Sequence, residues 1–266
     1  MGLTMLFVNF LPDVLKELVK HVPTLMFELI DWTELGKEVP KMTSRIFKKE
    51  GFDDFFQNQK EFLSKSGISI SNSPFSSAKT AIPSQKLGED ILKIYFAQIY
   101  SPHGLALDLR IHHMESSNEG NVFHPTTLWT KVDPAFQLGL IHMYRGFYLQ
   151  DDSQLELGLV ETGLLKPYWE NETKEELKQL LKSHFGNSLE QDMIFRLDHF
   201  NASFLKLARF LIANKVKISH DFMYLGIYLV SLYIGLETIK TPLPVSRIFK
   251  EIDDQFQGTA VRNLTI

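Results

Sequence analysis

A long uncharged stretch near the carboxyl end constrains the fold of this chain more than any other feature. Residues 222–236 read FMYLGIYLVSLYIGL, fifteen consecutive positions bounded by Asp221 and Glu237. A helix of fifteen residues rises about 22 Å, which is well short of the roughly 30 Å hydrocarbon core of a membrane. We therefore predict no transmembrane segment, and we predict a buried helix over 221–238 around which the other helices pack.

Small residues interrupt this run at Gly226, Ser231 and Gly235. Small side chains allow a neighbouring helix to approach closely, so they are typical of a tightly packed core. A tunnel for a lipid or an isoprenoid beside the helix is one alternative, and peripheral contact with a membrane is another. The candidate residues for an apolar groove beside the buried helix are Phe200, Phe204, Tyr224 and Tyr228.

The composition is sufficient to fill a large aromatic core. Of the 266 residues, 44% are hydrophobic and 12% are aromatic, and Phe alone accounts for 21. Large flat side chains fill the seams between helices, although they also line ligand cavities. We predict a mainly α fold with a small β element near 104–114 and a carboxyl-terminal part that resembles a helical bundle.

Charge and cysteine content exclude several classes of function. The formal net charge is −4, and no basic run exceeds the pair Lys48-Lys49, so nucleic acid is not expected as a partner. Cysteine is absent, which excludes disulfides, thiolate metal sites and cysteine nucleophiles. The amino-terminal stretch lacks the early basic residues and the cleavage site of a signal peptide, and we expect a cytoplasmic protein.

The segment 66–84 is the clearest candidate boundary, because serine and proline disfavour regular backbone pairing. We predict a helical amino-terminal region over 1–65, a loop or hinge over 66–84 with a short strand at 68–70, and a helical main domain over 85–256 followed by a tail at 257–266. The predicted helices are 4–21, 24–31, 41–49, 52–65, 85–100 capped by Ser84, 135–150, 152–165, 174–185 capped by Thr173, 189–214, and 245–254.

A strand is predicted at 104–113. Positions 105, 107, 109 and 111 are apolar, while Asp108, Arg110 and His112 alternate with them on the opposite face. A polar loop is expected at 115–121, and a second extended piece near 122–123 or 128–132.

The chain resembles the UbiB/AarF family of atypical kinase-like proteins over about 85–240. The resemblance rests on apolar spacing and turn positions in three segments. They are ILKIYFAQIYSPHG (91–104), LIHMYRGFYLQDDSQLELGLVETGLL (140–165) and FLKLARFLIANKVKISHDFMYLGIYLVSLYIGLETI (204–239). It implies a helical lobe like the carboxyl-terminal lobe of those proteins.

The catalytic motifs of that family are broken in this chain. The family's His-x-Asp-x-His-Pro-Gly-Asn segment corresponds to the residues around Asp108, with His113 where the asparagine would stand. Its Asp-Phe-Gly corresponds at best to Asp133-Pro134-Ala135. Phosphoryl transfer needs positioned Mg²⁺ and a phosphate-anchoring cation, so the resemblance implies a degenerate, non-catalytic relative.

Polar residues concentrate between 108 and 133. The candidate cluster consists of Asp108, Arg110, His112, His113, His124 and Asp133. Imidazole and carboxylate together suit zinc, iron or manganese, with Asp108 and His112 as the first candidates for ligands. The alternative is a solvated strand face on which Asp108 pairs with Arg110 or with a neighbouring helix.

These patterns leave three hypotheses of function. The first is a non-catalytic binding or scaffold protein without a cofactor, whose helical core accepts a lipid-like ligand or a helix of a protein partner. The second is a metal-dependent enzyme that uses Asp108 and His112 with His124 or Asp133. The third is a nucleotide-binding pseudokinase whose binding depends on Asp133.

Overall fold

The computed structural model describes residues 13–29, 49–73, 80–117, 120–185 and 192–263, with a few separate positions between 36 and 47. The predictions for residues 1–12, 30–31, 74–79, 186–191 and 264–266 lie outside the described residues, as do positions 42, 46 and 48 of the helix predicted at 41–49.

The described part of the chain is mainly helical, as predicted. Its α-helices are α1 (Asp13–Val19), α2 (Phe52–Ser64), α3 (Gln85–Ile99), α4 (Pro134–Tyr148), α5 (Asp152–Glu161), α6 (Asn171–Phe185), α7 (Leu197–Ala213), α8 (His220–Glu237) and α9 (Val245–Asn263). Short 3-10 helices cover Thr24–Glu28 and Ile111–His113. The predicted cap of α3 is confirmed, because the Ser84 side chain accepts a hydrogen bond from the backbone N–H of Leu87.

Helix α8 lies inside the core, as the uncharged run predicted. Tyr228 at its centre is fully buried, and its ring stacks on Tyr95 of α3 with 4.7 Å between the ring centroids. Gln98 Nε2 donates to the Tyr228 hydroxyl at 3.0 Å, and that hydroxyl donates to the Tyr95 carbonyl at 3.1 Å. The buried tyrosine therefore keeps its hydrogen bonds. None of the helices in the described ranges has the length and hydropathy that crossing a membrane would require.

In the described ranges, five short strands form two small sheets. Strands β1 (Ser69–Ile70), β3 (Met114–Ser117) and β4 (Gly120–Phe123) form one sheet, in which β4 pairs parallel with β1 and antiparallel with β3. Strands β2 (Leu105–Ala106) and β5 (Trp129–Thr130) form an antiparallel pair. The strand predicted near 68–70 and the extended pieces predicted near 122–123 and 128–132 are therefore confirmed. The polar loop predicted at 115–121 is wrong at both ends, because residues 115–117 belong to β3 and residues 120–121 belong to β4.

The long strand predicted at 104–113 is wrong. Only Leu105–Ala106 is a strand, and both faces of the following segment are buried. The Leu109 N–H donates to the Ser231 hydroxyl at 3.2 Å, and the Arg110 N–H donates to the Asp108 carboxylate at 3.3 Å. Side chains thus satisfy these backbone groups in place of a partner strand.

Several helix boundaries also differ from the prediction, among them the end of α5 at Glu161 instead of 165 and the end of α1 at Val19 instead of 21. Met193 and Leu243 exchange two backbone hydrogen bonds of 2.9 Å, which holds the chain extended there, so α7 begins at Leu197 instead of 189. Helix α6 begins at Asn171, so Thr173 lies inside the helix and is not its cap. Helix α9 continues through the predicted tail to Asn263, anchored by Phe256, whose ring stacks on Phe62 of α2 at 4.6 Å.

Contacts of β1 and α2 join the amino-terminal helices to the rest of the core. Strand β1 pairs with β4, and the Phe55 ring of α2 stacks on Trp129 of β5 at 4.6 Å. Residues on both sides of the segment therefore share one hydrophobic core.

Candidate functional site

The segment between β2 and β3 is fixed against the buried helix α8. At Gly235, an added Cβ would lie 2.8 Å from the Leu109 carbonyl oxygen, so the segment can approach the helix this closely only because the residue is glycine. The element that packs against Gly235 is thus an extended segment, whereas the sequence predicted that another helix would pack there. Ser231 holds the same segment through its hydroxyl. Asp108 and Arg110 therefore project from a rigid scaffold.

Asp108 is the centre of a buried polar cluster. Its Oδ1 accepts a hydrogen bond from Arg110 Nε at 2.8 Å, and its Oδ2 accepts one from Arg110 Nη2 at 2.6 Å. His113 Nε2 lies 3.0 Å from the same Oδ2. The other terminal nitrogen of Arg110, Nη1, donates to Glu17 Oε2 of α1 at 2.8 Å. One guanidinium thus joins two carboxylates, with both hydrogen bonds to Asp108 in the bidentate geometry that arginine favours.

These contacts set the ionisation of the cluster. Burial alone would raise the pKa of Asp108, but the hydrogen bonds from Arg110 and His113 outweigh burial and hold the pKa well below its usual range. Burial lowers the pKa of His112, and the nearby positive charge of Arg110 lowers it further. Asp108 is therefore an anion at neutral pH. The predicted pairing with Arg110 is confirmed, but the predicted solvation is wrong, because the Asp108 side chain is 0% exposed.

The predicted six-residue cluster divides into separate sites. Within the described ranges, Asp108, His112 and His113 form a group whose possible ligand atoms all lie within 4.8 Å of one another. His124 lies outside that group, and its Nε2 is 3.0 Å from Glu115 Oε2. Asp133 caps α4 by accepting a hydrogen bond from the Ala135 N–H at 2.8 Å. His124 and Asp133 thus contact residues close to them in sequence. The predicted convergence of His124 or Asp133 with Asp108 is wrong.

The four residues predicted to line an apolar groove are buried in the packed core. Phe200 and Phe204 stack on each other at 4.4 Å, Tyr228 stacks on Tyr95, and Tyr224 meets the His220 ring edge-on. The nearby cavity, beside Tyr95 and Leu229, has a volume of about 20 Å³, which is close to the size of one water. Among the described residues, these rings pack against their neighbours, and the cavity beside Tyr95 and Leu229 is too small for a lipid.

A larger cleft lies between the end of α3, strand β2 and helix α4. Its volume is about 450 Å³, within the range of small-molecule sites. Five apolar residues form most of its wall, namely Pro102, Leu105, Val132, Pro134 and Ile141. The remaining lining residues are Tyr100, Ser101, Gly104, Lys131 and Gln137.

The turn at 101–104 forms one wall of the cleft and is fixed from two sides. Gln59 of α2 donates to the Ser101 hydroxyl at 3.0 Å and to the Gly104 carbonyl. Gln137 of α4 donates to the Ser101 carbonyl at 2.9 Å. Gly104 has φ +112°, and a Cβ there would lie 2.3 Å from the Thr130 carbonyl oxygen, so the wall requires glycine at this position.

Neither a known protein-family model nor a curated protein matches this chain. The resemblance to the UbiB/AarF family therefore stays a prediction. The geometry of the cleft and of the Asp108 cluster is the remaining basis for inferring the function of this chain.

The charge around the cleft is positive on one side. Lys131 is exposed and belongs to the lining. Burial lowers the pKa of the nearby His103, and the positive charge of Lys131 lowers it further, with a smaller contribution from Lys65. Glu61 acts in the opposite direction. The cleft thus combines apolar walls with a cation at its rim.

The phenol of Tyr100 is not available as a base. It donates to Asp253 Oδ1 at 2.6 Å, and Arg145 Nε donates to the same oxygen at 2.6 Å. Burial raises the pKa of Tyr100 far above its usual value, and the Asp253 carboxylate raises it further. This part of the cleft wall contributes shape and hydrogen bonds instead of proton transfer.

Sequence reasoning missed most residues that build these two sites. Glu17 meets Arg110 across 93 positions and Gln59 meets Ser101 across 42 positions, so no local pattern marks either residue. Gly104 is the exception, because Pro102 and Gly104 together are typical of a tight turn. That signal locates the turn but does not indicate a cleft.

Proposed function

We propose that the protein is a non-catalytic binding protein that holds a lipid-like anion in the cleft between Tyr100 and Ile141. The observation that supports this most is the combination of a 450 Å³ cleft with mainly apolar walls and one exposed lysine at its rim. An apolar chain would lie along Leu105, Val132 and Ile141, and its anionic head would pair with the ammonium group of Lys131.

The size of the cleft favours a single chain over a partner helix. One turn of α-helix, about 10 Å across and 5.4 Å long, occupies roughly 420 Å³. The cleft would therefore accept at most one turn, which is too little for a stable helix-in-groove interaction with several anchor positions. A flexible acyl or isoprenoid chain makes full use of the same volume.

The chemistry of the lining agrees with binding more than with catalysis. Gln59 and Gln137 already hold the Ser101 turn, and Asp253 holds the Tyr100 phenol. The described lining residues thus act as walls and hydrogen-bonding groups. A degenerate relative of the UbiB/AarF proteins, without phosphate-anchoring motifs, would retain such a role.

Binding is tested with fatty acids and isoprenyl phosphates by native mass spectrometry and by thermal shift. We expect a one-to-one complex and a raised melting temperature, because a ligand that binds the native state stabilises it. Val132→Trp places a large ring in the cleft and should abolish both signals. Val160→Trp on α5, another partly buried valine, is the matched control and should bind as the parent does.

The head-group contact is tested with Lys131→Gln. Loss of one partly exposed ion pair should weaken the affinity for the anion by about fivefold, which corresponds to roughly 1 kcal/mol. Lys206→Gln, an exposed lysine on α7, should leave the affinity unchanged. The proposal fails if no lipid binds, or if Val132→Trp binds lipid as tightly as the parent protein. Heat on titration with Mg-ATP, lost on substitution of Asp133, would instead favour the pseudokinase hypothesis.

A further inference from the structure

We propose that Asp108, His112 and His113 form a binding site for a divalent transition-metal ion of the zinc class, separate from the lipid-like ligand in the cleft. Two imidazoles and one carboxylate, with the remaining positions open to water, are a common ligand set for such ions. The sequence predicted Asp108 and His112 as candidate metal ligands, together with His124 or Asp133. In the structure the third possible ligand is His113 instead.

The distance between the first two ligand atoms fits a metal. His113 Nε2 and Asp108 Oδ2 are 3.0 Å apart. With metal–ligand bonds of about 2.0–2.2 Å and angles between adjacent ligands of roughly 90–110°, two such ligands lie about 2.8–3.6 Å apart. The two side chains therefore already hold their ligand atoms at the separation that an ion requires.

His112 completes the group from the solvent side. Its ring lies next to that of His113, with 4.1 Å between the centroids, and the residue is exposed. The three ligand atoms lie within 4.8 Å of one another, so a small rotation of this exposed side chain closes the site. The exposed ring also leaves a path for the ion and for water as a further ligand.

The carboxylate of Asp108 lies next to the ligand nitrogens and would compensate part of the charge of the ion. Arg110 links it to Glu17, whose carboxylate adds a second negative charge, while the guanidinium and Lys20 near Glu17 add positive charge. Arg110 holds Asp108 Oδ1 through Nε, which fixes the orientation of the carboxylate. Such outer contacts orient ligands in known metal sites.

Metal binding replaces one hydrogen bond without changing the number of bound protons. If His113 carries its proton on Nε2, that proton moves to Nδ1 when the Nε2 lone pair binds the ion. Asp108 Oδ2 then binds the ion in place of accepting from His113, and it keeps the hydrogen bond from Arg110 Nη2. The Arg110 hydrogen bond to Oδ1 is unaffected, so the cluster keeps its attachment to the scaffold.

Calorimetry with Zn²⁺, together with the visible absorption of bound Co²⁺, tests the site in the full-length protein purified with a chelator and then dialysed. We expect one ion per chain. His112→Gln and His113→Gln should each weaken binding by about 100-fold or more, because even outer-shell substitutions cost about 10–100-fold. His199→Gln, an exposed histidine on α7, is the control and should bind as the parent does.

The circular dichroism spectrum of each variant shows that it is folded, and the exposed position of His112 makes that variant the decisive one. The inference is overturned if the parent binds no Zn²⁺, or if His112→Gln binds it with unchanged affinity. Val132→Trp should retain the metal while losing the lipid, and His112→Gln should do the opposite. The two proposals therefore fail separately.

Discussion

Helices α7 and α8 and the segment between 101 and 133 are stabilised in different ways. The helices are held by many apolar contacts that repeat every third or fourth residue, such as those of Phe200, Phe204 and Tyr228. The segment also buries apolar side chains such as Leu107 and Leu109, but it depends in addition on specific contacts. These are two glycines close to carbonyl oxygens, two glutamine side chains, and the Asp108 cluster. Both candidate sites involve the second region.

This difference predicts unequal tolerance to substitution. Apolar packing depends on shape and volume, so a core helix accepts a similar side chain at small cost. A buried ion pair or a required glycine has no close substitute, because one changed atom leaves a buried charge unpaired or produces a clash. The predictions below test that contrast, from the largest expected effect to the smallest.

The largest effect is expected for Asp108→Asn. The substitution keeps the shape, but it turns an amide donor toward donors of Arg110 and His113 and leaves the buried guanidinium with less compensation. We expect the free energy of unfolding in urea to fall by about 3 kcal/mol. Glu17→Gln removes the exposed end of the same network, with a side chain that is 60% exposed, and should cost much less. Equal losses for the two variants would contradict the account.

The next effect compares two glycines with similar backbone angles. Gly104 has φ +112° and Gly120 has φ +128°, but only at Gly104 would a Cβ meet a carbonyl oxygen. Alanine is strained by the positive φ at both positions. The difference in stability between the two variants therefore reports the close approach of residue 104 to Thr130. We expect Gly104→Ala to be less stable than Gly120→Ala by at least about 2 kcal/mol in denaturant unfolding. If the two are equally stable, the wall of the cleft is not as tightly packed as described.

A buried histidine where α6 packs against α7 should make stability depend on pH. Burial lowers the pKa of His184 to about 3, and its Nδ1 lies 2.6 Å from the Ser203 hydroxyl. The unfolded chain takes up this proton near pH 6.5 but the folded chain does not, so the stabilisation is complete above that pH and is lost as pH falls.

Stability should therefore decline by about 1.4 kcal/mol per pH unit between roughly pH 6 and pH 3, or about 2 kcal/mol by pH 5. The measurement is urea unfolding at several pH values. His184→Phe should remove this part of the slope, because phenylalanine does not titrate and suits the aromatic surroundings of Phe200 and Phe204. His199→Ala should keep most of it, because burial is a larger cause of the low pKa of His184 than the nearby His199. An unchanged slope in His184→Phe would place the acid sensitivity elsewhere.

The smallest effect is expected for a conservative change in α8. Leu229→Met keeps nearly the same volume at a buried position, so we expect a loss below about 1.5 kcal/mol in urea unfolding. A loss as large as that of Asp108→Asn would show that the helix is no more tolerant than the segment, and the comparison would then fail.

The success and failure of the sequence predictions follow the same division. The position of α8 follows from a run without charge, and the start of α3 follows from Ser84, because both signals are local. The segment at 104–113 alternates like a strand, yet its backbone is satisfied by Ser231, 122 positions from Leu109. The pairing of Met193 with Leu243, which shortens α7, is likewise not indicated by any local pattern.

The candidate sites were predictable only in part, for the same reason. The pairing of Asp108 with Arg110 is short-range and was expected, whereas the contribution of Glu17 is long-range and was not. Aromatic residues at helical spacing suggested a groove, but the same spacing describes a filled interior. Whether a cavity remains beside such rings depends on packing, which a sequence pattern does not contain.

The most direct test of the proposed binding site is photolabelling with a photoreactive fatty-acid analogue, followed by mass spectrometry of the peptides. We predict that the label is found on residues 100–105 and 131–141 and that Val132→Trp prevents it. Labelling concentrated on α7 and α8, or labelling of the cleft that Val132→Trp does not reduce, would contradict the assignment of the cleft as the ligand site.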